Sequence, residues 1–160
     1  MPVDTQIQLV GVEQAIKSLR KIDPELRKQF NRDAKAIAKP VLDKAASDYP
    51  ELPLSGMARK WSNILPWDLR RAQRGLRVKI DTSRKSTNVI VLMNTDKAAA
   101  VFEQAGRRSD DPLARALGPL KAHRSRVLGP ALDERRDEVV RGFERLALDT
   151  MRTVQKEFKR

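Results

Sequence analysis

An apolar stripe that begins just after Gly129 and runs to the C-terminus constrains the fold of this chain more than any other feature. Pro130 has a backbone φ angle already close to helical values. Its missing N–H costs nothing at the start of a helix, because the first N–H groups of a helix have no acceptor within the helix. Apolar side chains then recur at helical spacings of three and four residues: Leu132, Val139, Val140, Phe143, Leu146, Ala147, Met151, Val154 and Phe158. The pattern predicts one long C-terminal helix from Pro130, with Gly142 as its only weak point.

A helix of this length would measure roughly 40 Å at about 1.5 Å per residue. The chain has 160 residues, of which 40% are hydrophobic and 4% aromatic. These values predict one domain over residues 1–160 with a thin, aliphatic core. Because such a core would not cover the whole stripe, we expect part of the last helix to face another copy of the chain.

Charge and cysteine usage limit the environments and partners to consider. The formal net charge is +12, which is compatible with nucleic acid or with an acidic protein partner. Cysteine is absent, so disulfides and thiolate metal sites are excluded. The first residues show no targeting pattern, and no apolar run reaches the roughly 18 residues of a membrane span. We therefore expect synthesis in the cytoplasm and no membrane partner.

The N-terminal half of the sequence predicts a strand followed by helices. Residues 6–12 alternate polar and apolar side chains, which is typical of a short strand, and a helical pattern follows over residues 12–22. Asp23 and Pro24 then signal a new helix start. Its apolar stripe continues to Ala45, and Pro40 inside it predicts a kink or a break.

The middle of the chain predicts a contact loop and a hairpin. Residues 50–75 form the least regular region, which we interpret as an ordered loop with a short helix near Trp67. Residues 76–80 and 88–93 predict two strands joined by a hairpin, and residues 97–106 predict a short helix or turn. Residues 107–127 have little periodicity and predict a mobile arm or loop.

Few residues offer chemistry. His123 is the only histidine, so no histidine-based metal site or acid–base pair can be built. The acidic residues near the start of the last helix complement its macrodipole: Asp133, Glu134, Asp137 and Glu138. No glycine-rich phosphate loop is present. The sequence predicts no catalytic, metal-binding or cofactor-binding residue, no small-molecule ligand and no enzyme.

The densest basic region leaves two interpretations open. It contains Arg70, Arg71, Arg74, Arg77, Lys79, Arg84 and Lys85. Trp61 and Trp67 lie nearby, and arginine interleaved with aromatic residues can bind phosphates and stack on bases. The other interpretation, a solvated or partner-facing surface, is favoured because no signature of a known nucleic-acid-binding module is visible.

Four short segments occur in an informative order. A short strand that ends at Gly11 leads into a helix with the pattern Leu-Arg-Lys-Ile-Asp-Pro-Glu-Leu at residues 19–26. Residues 54–59 read serine-glycine, apolar, arginine; residues 100–106 contain aromatic, glutamate and glycine; residues 128–132 read Leu-Gly-Pro-Ala-Leu. In this order the segments resemble the small neck or tail-completion proteins of long-tailed bacteriophages, which are also described as head–tail joining or minor tail proteins.

The resemblance implies an α+β fold, in which an N-terminal strand and a hairpin form a small antiparallel sheet packed on a long N-terminal and a long C-terminal helix. It also implies a structural virion protein that forms a ring of about six copies in the phage neck. Such a ring would join the head connector to the tail tube around the DNA channel, after synthesis in the host cytoplasm. Its partners would be the neighbouring connector, head-closure and tail-terminator or tube proteins, with non-specific contact to DNA.

Residues of the loop, the hairpin tip and the helices are the candidate ring or partner contacts. They are Trp61, Trp67, Arg70, Arg71, Arg74, Arg84, Lys85, Phe102, Glu103, Phe143 and Met151. The alternative function is a basic DNA-binding or DNA-packaging accessory protein. Salt dependence separates the two, because phosphate-driven binding weakens steeply as salt rises.

Overall fold

A computed structural model describes residues 5–6, 24–58, 66–80, 90–106, 112–120 and 125–158 of the chain. The elements in these ranges are the strands β1 (Thr5–Gln6), β2 (Leu76–Ile80) and β3 (Ile90–Asn94) and the helices α1 (Pro24–Asp48), α2 (Leu69–Gly75), α3 (Lys97–Gln104), α4 (Pro112–Leu117), α5 (Leu128–Glu134) and α6 (Arg136–Phe158). A 3₁₀ turn at Ser55–Ala58 follows α1. The chain is α+β, as the resemblance to neck proteins implied.

Helix α1 is the long N-terminal helix, and it does not break at Pro40. Of the kink or break that the sequence predicted at Pro40, the continuous helix excludes the break. Pro40 removes the N–H that would bond to the carbonyl of Ala36, but Ala36 is exposed, so water can satisfy that carbonyl. One face of α1 is buried at Phe30, Ala34, Ala38, Val41 and Ala45.

Within the described residues, the sheet has three strands in the order β1-β3-β2, and both pairings are antiparallel. Strand β2 alternates buried and exposed positions, while the central strand β3 is almost entirely buried. The difference follows from the sequence, because polar and apolar residues alternate in β2 whereas β3 contains a continuous apolar run. Strand β1 covers Thr5–Gln6, and the remainder of the strand expected over residues 6–12 lies outside the described residues.

The C-terminal segment contains two consecutive helices, where the sequence predicted one. Helix α5 begins at Leu128, two residues before Pro130, and ends where the N–H of Arg135 donates to the carbonyl of Leu132 at 3.2 Å. Pro130 still lies in the first turn of α5, where its missing N–H breaks no helical hydrogen bond. Helix α6 then runs over Arg136–Phe158.

Most of the apolar stripe on α6 is covered within the chain. Val139, Phe143, Ala147 and Val154 are buried, and α6 packs against α1. The expectation that one chain could not bury this stripe was therefore wrong for its central residues. Among the described residues, the large apolar side chains that stay exposed on α6 are Leu148 and Met151, at 55% and 40%.

Gly142 marks the close crossing of α6 over α1. A Cβ atom on Gly142 would lie 2.8 Å from Cγ2 of Ile37, nearer than carbon atoms pack. The sequence suggested that Gly142 weakens the helix. The structure shows instead that its missing side chain lets the two longest helices touch.

We expect Gly142→Ala to lower the free energy of unfolding by about 1–2 kcal/mol, because the added methyl overlaps Ile37. In an Ile37→Ala background the overlap is gone, so the same substitution should stabilise the helix by about 0.5–1 kcal/mol. Urea unfolding of the two single variants and the double variant measures both values. If Gly142→Ala stabilises the wild-type background, the helices do not cross as closely as described.

Candidate functional site

An exposed group of cations covers helix α2 and strand β2, and we call it the basic surface. Its members are Arg70, Arg71, Arg74, Arg77 and Lys79, and all five are exposed. Helix α2 begins at its N-cap Asp68, whose carboxylate accepts a hydrogen bond from the backbone N–H of Arg71 at 2.9 Å. The helix ends at Gly75 and passes directly into β2 at Leu76. The local sequence thus holds the five cations on two contiguous elements.

Hydrogen bonds to the backbone fix the positions of two of these arginines. Nη1 of Arg77 donates to the carbonyls of Arg74 and Leu76 at 2.5 and 2.8 Å. Nη2 of Arg71 donates to the carbonyl of Pro66 at 3.4 Å. The remaining N–H groups of both exposed guanidinium groups can still bond to a partner.

The two acidic side chains beside the basic surface are already engaged. Asp68 caps α2, and the hydrogen bond from the Arg71 backbone keeps the pKa of its carboxyl below the usual value. Asp96 caps α3 by accepting from the N–H of Ala99 at 3.0 Å, and its other oxygen lies 3.6 Å from Nε of Arg71. Both carboxylates are thus occupied as helix caps, and the five cations outnumber them.

A buried polar network lies behind the basic surface. Glu103 of α3 is fully buried, and its Oε1 accepts a hydrogen bond from the hydroxyl of Tyr49 at 2.6 Å. The Tyr49 hydroxyl in turn accepts from Nδ2 of Asn94 at 3.0 Å, and the same Nδ2 donates to the carbonyl of Ala72 at 2.7 Å. The network therefore joins the end of α1 to α2, α3 and β3.

The carboxylate of Glu103 also holds the start of helix α5. Oε2 accepts from the backbone N–H of Val127 at 2.9 Å, and Oε1 accepts from that of Leu128 at 3.3 Å. The N-cap residue Val127 supplies no side-chain cap of its own. Ser125 adds a second acceptor, because its Oγ accepts from the N–H of Gly129 at 2.7 Å. A helix N-terminus favours negative charge, so Glu103 acts as a cap from a distant part of the chain.

Burial shifts the titration of this network. Burial raises the pKa of Glu103, although the hydrogen bonds from Tyr49, Val127 and Leu128 oppose that shift. Burial and the adjacent Glu103 carboxylate raise the pKa of Tyr49. Both groups are closed off from solvent and fully engaged with each other and the backbone. The arrangement is suited to holding elements together.

Hydrogen bonds from the Arg126 guanidinium to backbone carbonyls close the segment between α3 and α5, and we call this group the Arg126 clasp. Nη1 of Arg126 donates to the carbonyl of Leu117 at 2.9 Å. Nη2 donates to the carbonyls of Ala105, at 2.7 Å, and of Gly118. Gly106 has φ +93°, and a Cβ on it would lie 2.7 Å from the Arg126 guanidinium, so both its conformation and its lack of a side chain are needed.

The clasp corrects part of the interpretation of residues 107–127 as a mobile arm or loop. Within that segment, Pro112–Leu117 forms helix α4, and Arg126 and Val127 are tied to α3 by hydrogen bonds. Residues 107–111 and 121–124 lie outside the described residues.

The structure divides the predicted contact residues other than Trp67 into three groups. Phe102, Glu103 and Phe143 are buried within the chain, so the expectation that they contact another subunit was wrong. Met151 is exposed, as are Arg70, Arg71 and Arg74 of the basic surface. Trp61, Arg84 and Lys85 lie outside the described residues.

Trp67 is half-buried and part of an aromatic cluster. Its ring meets that of Phe102 edge-on with centroids 5.4 Å apart, and the ring of Tyr49 lies 6.0 Å away. Its Nε1 donates to the carbonyl of Pro50 at 3.2 Å. Trp67 therefore anchors the loop to the core rather than projecting from it.

Sequence reasoning missed Tyr49, Asn94 and Arg126. Tyr49 stands at the end of a predicted helix and Asn94 at the end of a predicted strand, positions where polar residues are common. Nothing in the local pattern marks them as partners, because Tyr49 and Glu103 are 54 residues apart. An isolated polar residue after a continuous apolar strand, as at Asn94, is the one available signal.

No protein-family model, curated protein or solved structure matches this chain. Within the described ranges, the structure contains no helix long and apolar enough to cross a membrane. The same ranges contain no group of three or more histidine, cysteine, aspartate or glutamate side chains that could hold a metal ion.

We expect Glu103→Gln to lower the free energy of unfolding by about 2–3 kcal/mol, because an amide NH₂ group would face N–H and O–H donors in a buried site. Tyr49→Phe should cost less, about 1–2 kcal/mol, since the backbone donors to Glu103 remain. Urea unfolding measures both. The exposed control Glu144→Gln should change stability by less than about 0.5 kcal/mol, and an equally small effect of Glu103→Gln would contradict the capping role.

The raised pKa of Glu103 also predicts a pH dependence. The folded protein binds a proton at this carboxyl more tightly than the unfolded chain, whose carboxyl keeps its ordinary value of 4.5. The stabilising contribution of this proton is therefore complete below that value and is lost as pH rises through the raised pKa. The difference in unfolding free energy between wild type and Glu103→Gln should decline over this window and then level off. A difference that is constant with pH would contradict the shift.

Proposed function

We propose that this chain is a structural, non-enzymatic subunit of a bacteriophage neck. About six copies form a ring that joins the head connector to the tail tube around the DNA channel. Its partners are the connector, head-closure and tail-terminator or tube proteins on either side. The observation that carries the proposal is the bond between Glu103 and the start of α5.

Glu103 belongs to residues 100–106, and the start of α5 belongs to residues 128–132; both segments carry the resemblance to neck proteins. Each segment is short, but in the structure the two segments are joined by hydrogen bonds. The first supplies the buried carboxylate, and the second supplies the N–H group of Leu128, which the carboxylate binds together with that of Val127, one residue before the segment. Hydrogen bonding between the two segments supports the interpretation that they occur together because they share a structural role.

The arrangement of the helices and the sheet supports the same proposal. The resemblance implied a small antiparallel sheet with a long helix from each end of the chain. Helix α1 packs on both α6 and β2, and α3 packs on β3. This places the helices and the sheet in one layered unit with the edge of β2 at its side.

Exposed features of this unit fit contacts between identical neighbours. Leu148 and Met151 are exposed one helical turn apart on α6, and Met151 is one of the predicted ring contacts. Strand β2 is an edge strand of the described sheet. A closed ring covers apolar side chains and strand edges between subunits without leaving a free end. The role is mechanical: the ring couples its neighbours and leaves the channel open.

Native mass spectrometry of the purified full chain, alone and mixed with the proteins encoded beside it, tests the ring. A closed assembly of about six copies, or cryo-electron microscopy density for the chain at the neck of phage particles, supports the proposal. A chain that stays monomeric in every mixture and is missing from the particles contradicts it.

We expect Leu148→Glu/Met151→Glu to block ring formation, because each glutamate would bring charge into an apolar contact between subunits. Both residues are exposed in the subunit, so its unfolding midpoint should change little. Arg136→Gln/Arg145→Gln is the matched control, since it lowers the net charge by the same two units at exposed positions of α6. If both double variants assemble like the wild type, this side of α6 is not the ring contact.

A further inference from the structure

We propose that the basic surface binds the sugar–phosphate backbone of double-stranded DNA without reading its sequence. The inference rests on the proposed function in one respect: the proposed ring supplies the DNA channel, and the basic surface is the part of the subunit that would meet the DNA there. Binding of DNA and formation of a ring are measured separately, so either can fail without the other.

The cations of the basic surface form one continuous strip. Arg70 and Arg74 are four residues apart on α2 and share a helix face. Arg77 and Lys79 are two residues apart on β2 and share the exposed face of the strand. The hydrogen bond from the Arg77 guanidinium to the carbonyl of Arg74 joins the end of the helix to the beginning of the strand. A strip of this kind can follow a row of phosphates.

The charge of the strip is suited to a polyanion. Residues 66–80 contain five basic side chains and one acidic side chain, a net charge of +4. The acidic one, Asp68, is committed to capping α2. Excess charge of one sign on a small area raises the local concentration of a polyanion and speeds its association.

The lack of apolar side chains on this strip favours nucleic acid over a protein partner. The centre of a protein–protein interface is enriched in aromatic and other apolar residues, whereas protein–DNA interfaces are polar and strongly positive. Among the described residues, the exposed large apolar side chains are Leu52, Leu148 and Met151. None of these belongs to the basic surface.

The same surface favours a duplex over a single strand. Proteins that bind single strands stack the bases on exposed aromatic rings. Within the described part of the chain, the aromatic side chain nearest in sequence to the strip is Trp67, and its ring is packed against Phe102. Contacts to phosphate alone carry no sequence information, so the expected binding is independent of sequence.

The two anchored arginines make the strip partly pre-organised. Arg77 and Arg71 are already held by backbone carbonyls, so less side-chain freedom is lost when a phosphate binds. Their free N–H groups suit phosphate oxygens, for which guanidinium provides paired donors. Among the described residues, the side chains of Arg70, Arg74 and Lys79 have no hydrogen-bonding partner that the fold would lose, which makes them suitable for substitution.

Fluorescence anisotropy with a labelled random-sequence duplex of about 30 base pairs, titrated with the full-length protein at several salt concentrations, tests the proposal. The variant is Arg70→Gln/Arg74→Gln/Lys79→Gln. The control is Lys35→Gln/Arg136→Gln/Arg145→Gln, which loses the same charge at exposed positions of α1 and α6. Circular dichroism and thermal unfolding confirm that both variants fold.

Each phosphate contact contributes about 0.9 to the slope of log K against log salt. Between 50 and 200 mM salt, the affinity of the wild type should therefore fall about 40-fold more than that of the basic-surface variant. The control should keep nearly the wild-type slope. A wild type that does not bind duplex at 50 mM salt, or two variants that weaken equally, would overturn the proposal. Preference for a single strand, or binding of an acidic neck protein by this surface in place of DNA, would also overturn it.

Discussion

The buried carboxylate of Glu103 is the interaction on which the rest of this structure depends. A carboxylate can be taken out of water only if its oxygens find donors, and here the donors come from distant parts of the chain. Tyr49 brings the end of α1, and Val127 and Leu128 bring the start of α5. Asn94 ties the same hydroxyl to β3. The hydrogen bonds that satisfy this one carboxylate therefore fix the positions of the sheet and of the helices beside it.

Local periodicity was sufficient to predict the secondary structure around this network. Strand β2 has alternating side chains because one face meets the core and the other meets solvent, and β3 has a continuous apolar run because it is central. Helix α1 has a stripe of small and aromatic residues that pack on α5 and α6. These properties depend on neighbours within a few residues, which is why the individual helices and strands and the bounds of β2 could be predicted from the chain. The α+β class came from the resemblance to neck proteins.

The site depended on distant pairings, which periodicity does not contain. Glu103 resembled an exposed contact because glutamate is rarely buried, and its partners are 24 and 54 residues away. Gly142 suggested a weak helix because its packing against Ile37 is invisible in sequence. The exposure of the cations of α2 and β2, in contrast, could be predicted from the sequence, because an unpaired charge is seldom buried.

Because of the Arg126 clasp, the stability of the fold depends little on the length of the segment between α3 and α5. Because a single guanidinium holds the carbonyls of Ala105, Leu117 and Gly118, the two ends of this segment meet at a fixed point. Lengthening a closed loop adds little entropy cost, about 0.6 kcal/mol for each doubling. Related chains are thus free to gain or lose residues here, and a peptide tag inserted beside α4 would leave the core geometry intact.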